Sequence, residues 1–223
     1  MRRESHNTSQ YIRMMLRNRS GRLFVPVLIA YVILTAVCFY YRREAFRIPD
    51  FFTYVTEWCH RIIPMFACWW VLILYDEFVS GEGNELLYLY LSPGAVLKAQ
   101  FAAVAAYFVW IGIYIGGMQF FFAMKPFFAL RLCTESFFIS GAAYLLVSLV
   151  RNTGVPILLI FIYCAYLDQR LRVCTEYLGG LSSSLQSQQW SGQIMNWVAG
   201  TFGITIFLYL IGYFVYRKVR KYE

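Results

Sequence analysis

The sequence predicts an all-α integral membrane protein with six transmembrane helices, an amphipathic interfacial helix at the amino terminus and both termini in the cytoplasm. Of its 223 residues, 60% are hydrophobic and 14% are charged, and the mean hydropathy is +0.53. Soluble domains have about 45–50% apolar and about 25% charged residues. A soluble chain of this composition would expose a large apolar surface, and disordered chains are poor in apolar residues. Both classes are therefore excluded, and a polytopic membrane protein remains.

Long runs without charged residues give the positions of the six spans within a single transmembrane domain. A helix needs about 20 apolar residues to cross about 30 Å of hydrocarbon. The second run contains Arg61, so it spans only if this side chain reaches the membrane interface. The fourth and fifth runs predict a helical hairpin around a tight turn at residues 151–154. The predicted spans lie near residues 23–41, 55–75, 99–124, 132–150, 154–170 and 194–216.

The distribution of basic residues predicts the orientation of the chain. The net charge is +8, from 20 Lys and Arg against 12 Asp and Glu. Twelve of the basic residues fall on the side of the two termini and eight on the other side. Cytoplasmic segments carry an excess of Lys and Arg, which favours both termini in the cytoplasm. Because no basic stretch outside the spans is interleaved with aromatic residues, the positive charge does not indicate nucleic-acid binding.

Two further segments lie outside the predicted spans. Residues 9–20 predict the interfacial helix, because Tyr11, Ile12, Met15 and Leu16 share one helical face. The alternative for this segment is a disordered basic tail. Residues 168–193, rich in Gly, Ser and Gln towards their end, predict an extracytoplasmic loop. A cleavable signal peptide is not expected, since the first apolar run is long and begins at residue 23.

The sequence contains no recognisable catalytic, cofactor or metal motif. HExxH, GxxxxGK[ST] and CxxC are absent, and the chain has two histidines, His6 and His60. The alternatives of a disulfide or of free thiols stay open for three cysteines predicted on the outer side, namely Cys59, Cys133 and Cys174. Arg131 and Glu135 are four residues apart and predict a pair on one helix face. The sequence thus predicts no catalytic residue and no metal ligand.

The predicted spans are nearly free of ionisable residues, which does not favour a carrier coupled to an ion gradient. Any transport by this chain would therefore take its energy from outside the membrane. Gly112 and Gly116 in the third span form a GxxxG pattern, which permits close approach of helix backbones. We therefore predict a helix-packing role for these two glycines, within the chain or between chains.

Residues 76–98, between the second and third spans, form the most unusual segment. On the predicted cytoplasmic side, where basic residues are usual, it carries four acidic residues and one basic residue, Lys98. A short helix is predicted from about residue 84, and Pro93 suits the first turn of the next helix. Four apolar residues share one face of the short helix: Leu86, Leu87, Tyr90 and Leu91. An amphipathic helix of this kind suits docking of a soluble partner, and the alternative is a helix lying passively on the bilayer.

This segment resembles the coupling segment of the ABC-2 type permease family, in which Glu, Gly and Glu-Leu-Leu precede a Pro and the third helix. The order of an interfacial helix, six spans and a cytoplasmic segment after the second span is also similar. Gly83-Asn84 and Gly94-Ala95 depart from the residues usual in that family. The matching residues are Glu77, Gly81 or Gly83, Glu85, Leu86, Leu87, Pro93 and Lys98.

The resemblance implies a permease subunit in the plasma membrane of a prokaryotic cell, paired with itself or with a sister permease. A separate cytoplasmic ATPase subunit would hold ATP and Mg²⁺. The permease would export an amphipathic compound, a lipid or a peptide. The substrate would pass between the two permeases, along a path lined by their second and fifth helices. The alternatives are a non-transporting scaffold or sensor that binds a cytoplasmic partner through the same segment, and a lipid-modifying membrane enzyme. The coupling residues that the resemblance implies are Glu77, Glu82, Glu85, Leu86, Leu87, Tyr90 and Pro93.

Overall fold

The computed structural model describes residues 21, 24–40, 42–43, 51–79, 93–122, 126–167 and 189–219. These residues form six helices and no strand, which confirms the predicted all-α class for the described part of the chain. The helix over Gly154–Ile162 continues as a π-helical turn over Tyr163–Leu167. The helices are α1 (Phe24–Tyr40), α2 (Phe51–Val79), α3 (Pro93–Phe122), α4 (Pro126–Val150), α5 (Gly154–Ile162) and α6 (Gln189–Val219).

Four of the described helices are long and apolar enough to cross a membrane. The apolar stretch of α2 begins at Trp58, so Arg61 lies in its first turn, with its guanidinium 5.7 Å from the centre of the Trp58 ring. Apolar stretches in α1 (Phe24–Tyr40) and α5 (Gly154–Ala165) are shorter. The predicted membrane-embedded helical character is confirmed, and six spans with cytoplasmic termini stay a prediction. The four long stretches are Trp58–Asp76, Gly94–Gln119, Phe128–Val150 and Met195–Lys218.

The helices α2 and α4 are the most buried of the four long helices. Inside the molecule lie 61% of the apolar stretch of α2 and 56% of that of α4, against 17% for α6. The other helices expose large apolar side chains: Val32, Ile113, Leu158 and Phe207 are each more than half exposed. An apolar surface of this extent is stable in lipid rather than in water. The described structure is therefore a bundle with α2 and α4 inside and lipid-compatible faces outside.

The bundle has two ends, which we name after residues of α2. At the Asp76 end, α2 finishes, α3 begins and the turn at residues 151–153 joins α4 to α5. At the His60 end, α1 finishes and α2, α4 and α6 begin. Consequently α2, α4 and α6 run parallel to one another, and α1, α3 and α5 run in the opposite direction.

The α4–α5 connection is the tight turn that the sequence predicts. Arg151 adopts a positive φ of 58°, which reverses the chain directly after α4. Its N–H still donates to Val147 O at 2.9 Å. Asn152 Oδ1 accepts a hydrogen bond from Gly154 N at 2.7 Å, which satisfies one of the free N–H groups at the start of α5.

Some predicted boundaries differ from those of the structure. Of the predicted cytoplasmic segment 76–98, the two ends are helical, because α2 continues to Val79 and α3 begins at Pro93. The start at Pro93 agrees with the prediction, since the first turn of a helix does not need the missing N–H. Helix α6 begins at Gln189, inside the segment predicted as a loop. The predicted interfacial helix 9–20, residues 80–92 and residues 168–188 lie outside the described residues.

Candidate functional site

Residues 76–98, the segment predicted to dock a cytoplasmic partner and called the docking segment below, belong to the described residues only at their two ends. Glu77 lies in the last turn of α2, and Pro93 is the first residue of α3. The site can therefore be built from the helices that enter and leave the segment. Five of the predicted coupling residues lie outside the described residues: Glu82, Glu85, Leu86, Leu87 and Tyr90.

Two hydrogen bonds join α3 to the backbone of α2. Gln100, which is 1% exposed, donates from Nε2 to Val71 O over 3.3 Å. About two turns further along α3, the Tyr107 hydroxyl donates to Ile63 O over 2.6 Å. Hydrogen bonds are electrostatically stronger in a low-dielectric interior than in water. The helices on either side of residues 80–92 are therefore fastened together along their length.

A third hydrogen bond joins the end of α2 to the α4–α5 turn. Thr153 Oγ1 donates to Asp76 Oδ1 over 3.1 Å. Thr153 directly precedes α5, where a threonine hydroxyl commonly caps the helix. Here it makes no such cap, and Asn152 caps Gly154 N in its place. The Thr153 hydroxyl is thus available for contact between elements, and it links α2 to α5.

A cavity of about 280 Å³ lies beside this contact, between α1, α2 and α5. Its walls are apolar except for Asp76 and Thr153. The lining residues are Pro26, Trp69, Leu72, Ile73, Asp76, Thr153 and Ile157.

At the His60 end, a charged cluster joins α2 to α4. His60 Nδ1 lies 2.5 Å from Glu135 Oε2, and Arg131 Nε donates to Glu135 Oε1 over 3.1 Å. The His60 side chain is 1% exposed and that of Glu135 is 18% exposed. The predicted Arg131–Glu135 pair is confirmed. No sequence pattern predicts His60 as a partner of Glu135, because the two residues are 75 positions apart.

Aromatic rings enclose this charged cluster. The His60 ring meets Phe128 edge-on, with the ring centres 5.1 Å apart. The Arg131 guanidinium lies 5.9 Å from the centre of the Trp197 ring, a cation–π distance that reaches α6. The hydrogen bonds of the imidazole and the guanidinium to the Glu135 carboxylate offset part of the cost of burying its charge. The geometry thus supports a structural connection among α2, α4 and α6.

Close helix packing occurs at glycines other than those predicted. A Cβ atom built on Gly112 or on Gly116 would meet no other described atom within 4 Å, so their predicted packing role stays a prediction for contact between chains. A Cβ on Gly141 would lie 2.9 Å from Thr205 Cγ2, and one on Gly212 would lie 2.8 Å from Tyr144 Cδ1. These two glycines let α4 and α6 approach closely.

No group of three or more His, Cys, Asp or Glu residues in the described ranges is arranged to hold a metal ion. Cys59 and Cys133, two of the cysteines considered for a disulfide, are free thiols, and Cys174 lies outside the described residues.

Comparison of the chain with protein-family models, with curated proteins and with solved structures finds no match.

Proposed function

We propose that this chain is the permease subunit of an ATP-driven transporter of the ABC-2 type, powered by a separate cytoplasmic ATPase subunit that docks on residues 76–98. It pairs with itself or with a sister permease and exports an amphipathic compound, a lipid or a peptide. The proposal begins from the sequence resemblance in this segment. The observation that supports it most is the fastening of the flanking helices α2 and α3 to each other and to the α4–α5 turn.

The fastened helices provide a route for movement from the docking segment into the bundle. A partner that displaces residues 80–92 pulls on the end of α2 at Asp76 and on the start of α3 at Pro93. The Asp76–Thr153 bond passes this displacement to α5, and the Val71–Gln100 bond keeps α2 and α3 in register. Because α2 contributes residues to both apolar core clusters of the bundle, its displacement reaches every described helix.

The proposal includes six spans and cytoplasmic termini. At about 1.5 Å per residue, Phe24–Tyr40 extends about 26 Å, close to the hydrocarbon thickness. Arg42 and Arg43 are exposed directly after this helix and would reach the headgroups of the outer leaflet. In the proposed topology, helix α5 and its π-helical turn form the described part of the fifth span.

The first experiment is a pull-down of the tagged full-length chain from its native membranes in mild detergent. We expect a soluble ATPase to co-purify in a fixed ratio, and to be lost when Leu86 and Leu87 are both changed to Arg. The matched control changes Leu86 and Leu87 to Ile, which keeps the apolar face and should keep the ATPase.

Recovery of the intact, folded chain without an ATPase would contradict the proposal. Recovery of a different cytoplasmic protein that depends on Leu86 and Leu87 would favour the scaffold or sensor. ATP-dependent uptake of a fluorescent amphipathic compound into inside-out vesicles then tests export directly, with uptake expected only when both subunits are present.

A further inference from the structure

The cavity between α1, α2 and α5 contains one acidic side chain. Five of its seven lining residues are apolar, and the other two are Thr153 and Asp76, which are joined by a hydrogen bond. Asp76 is the last residue of the apolar stretch of α2 and is partly buried. The cavity therefore places a carboxylate beside apolar walls, near one end of the bundle.

The cavity has room for a small organic molecule. An apolar cavity of roughly 150 Å³ in another protein takes up benzene. A volume of about 280 Å³ therefore accommodates one aromatic ring with a short side chain. The cavity is also partly open, so a molecule of this size can enter it without unfolding of the bundle.

The wall that α2 contributes has an aromatic end and an acidic end. Its residues Trp69, Leu72, Ile73 and Asp76 are three or four positions apart and therefore share one face of the helix. Trp69 and Asp76 are separated by about two turns, or about 10 Å along the helix axis. Tryptophan packs well against apolar groups and attracts organic cations more strongly than other aromatic residues do. This face suits a molecule with an apolar body and a charged end.

The carboxylate determines which charge the cavity accepts. A carboxylate beside apolar surface is costly to bury unless hydrogen bonds or an opposite charge compensate it. Thr153 donates one hydrogen bond to Asp76 Oδ1, and a carboxylate can accept about four. An ammonium group can therefore bind in addition to the Thr153 hydroxyl, through a charge-assisted hydrogen bond. An anion would be repelled, and a dication would keep one charge uncompensated.

We propose that this cavity binds a small amphipathic monocation, an organic ammonium whose charge pairs with Asp76 and whose apolar body lies along Trp69 and Ile73. The inference rests on the volume of the cavity, on its apolar walls and on its single acidic residue. It is independent of the transport function, because binding requires neither an ATPase nor a particular orientation of the chain in the membrane.

The test compares two probes that have the same apolar body. Phenethylammonium is positively charged at neutral pH, and 2-phenylethanol has a hydroxyl group in place of the ammonium. Equilibrium dialysis of each radiolabelled probe against the purified full-length chain in mild detergent measures its Kd, with protein-free micelles as the blank. We expect phenethylammonium to bind about tenfold more tightly, the effect of one hydrogen bond between charged groups. Equal affinities would overturn the proposal.

Two variants and a matched control locate the site. Asp76→Asn removes the charge and keeps an oxygen that accepts from Thr153, so it should abolish the preference for phenethylammonium. Ile157→Phe fills the cavity and should abolish the binding of both probes. The control is Leu158→Phe, since Leu158 is 63% exposed and does not line the cavity. A preserved preference in folded Asp76→Asn would overturn the proposal, and so would unchanged binding in Ile157→Phe.

Photolabelling of the unaltered chain gives a readout that does not depend on the folding of any variant. The probe is phenethylammonium with a diazirine on its ring, which loses N₂ on irradiation and inserts the resulting carbene into a nearby C–H bond. We expect labelled peptides that contain Ile73 or Ile157, and less labelling when unlabelled phenethylammonium is in excess. An equal concentration of 2-phenylethanol should protect less. Labelling confined to other parts of the chain would overturn the inference.

Discussion

Thr153 Oγ1 lies 3.1 Å from Asp76 Oδ1, and this contact connects the end of α2 with the turn that starts α5. The acceptor lies at the beginning of the segment predicted to dock a cytoplasmic partner. The Thr153 hydroxyl does not cap α5, because the Asn152 side chain accepts the hydrogen bond from Gly154 N. A hydroxyl placed in this way serves the connection between elements rather than the stability of α5 alone.

Thr153→Val should weaken this connection. The substitution keeps the shape of the side chain and removes its hydroxyl, and a hydrogen bond of this kind contributes about 1 kcal/mol to stability. We expect a small decrease in Tm in detergent, measured by tryptophan fluorescence, and a clear decrease in ATPase stimulation by transport substrate in the assembled complex. The matched control is Thr134→Val, whose hydroxyl bonds to Leu130 O inside α4. Equal stimulation in Thr153→Val and the parent chain would exclude a coupling role for this bond.

Glu135→Ala should destabilise the bundle more than Arg131→Ala. Removal of Glu135 takes away the hydrogen bond between its carboxylate and the buried His60 ring, which joins α2 to α4, at a cost of about 2 kcal/mol. Arg131 is 48% exposed, so its removal should cost about 0.5 kcal/mol. Urea or thermal unfolding in the same detergent measures both. A larger loss for Arg131→Ala would mean that the guanidinium, rather than the imidazole, stabilises this carboxylate.

Gly212→Ala should destabilise α4–α6 packing, whereas Gly112→Ala should not. The new methyl group at residue 212 would lie 2.8 Å from the Tyr144 ring and 3.4 Å from Leu145 Cα, and overpacking costs about 1–3 kcal/mol. At residue 112 the methyl group meets no other described atom within 4 Å, so the higher helix propensity of Ala should stabilise the protein by up to about 1 kcal/mol. Opposite shifts in Tm are expected. Equal shifts in Tm for the two variants would contradict the prediction, because they would mean that α4 and α6 move apart at little cost to accommodate the methyl group at residue 212.

Reversal of Glu82 and Glu85 to Lys should uncouple the permease from its proposed ATPase. The double change alters the charge of the docking segment by +4 and leaves the described helices untouched. We expect substrate-stimulated ATP hydrolysis to fall several-fold at unchanged Tm. Glu44→Lys together with Glu176→Lys is the control, since it makes the same change in charge on the predicted outer side. Full stimulation in the Glu82 and Glu85 variant would show that these carboxylates take no part in docking.

Local patterns in the sequence predict local features of the structure. The turn between α4 and α5, the helix start at Pro93 and the Arg131–Glu135 pair each depend on residues within four positions of one another, and the structure contains all three. The four long apolar helices follow from uncharged runs in the same way.

Contacts between helices cannot be predicted from such local patterns. The contact between His60 and Glu135 depends on which faces of α2 and α4 meet, and GxxxG spacing does not state which glycines face a neighbour. Gly112 and Gly116 have the spacing, yet a Cβ atom on either would meet no other described atom, whereas Gly141 and Gly212 lack the spacing and lie in tight contacts. The side chain that fits at a helix interface depends on the residues of the opposing helix. Gly141 is required opposite Thr205 and Gly212 opposite Tyr144, and a single sequence does not show which residues face each other.

The parallel helices α2 and α4 are connected near both ends, by His60 to Glu135 and by Tyr75 to Ser148. The two attachment points on α2 are 15 residues apart, or about 23 Å along the helix axis. Two bonds at that separation resist sliding of one helix along the other and also resist rotation of either about its axis. A conformational change that preserves these bonds therefore moves α2 and α4 together, as one rigid body, relative to the surrounding helices.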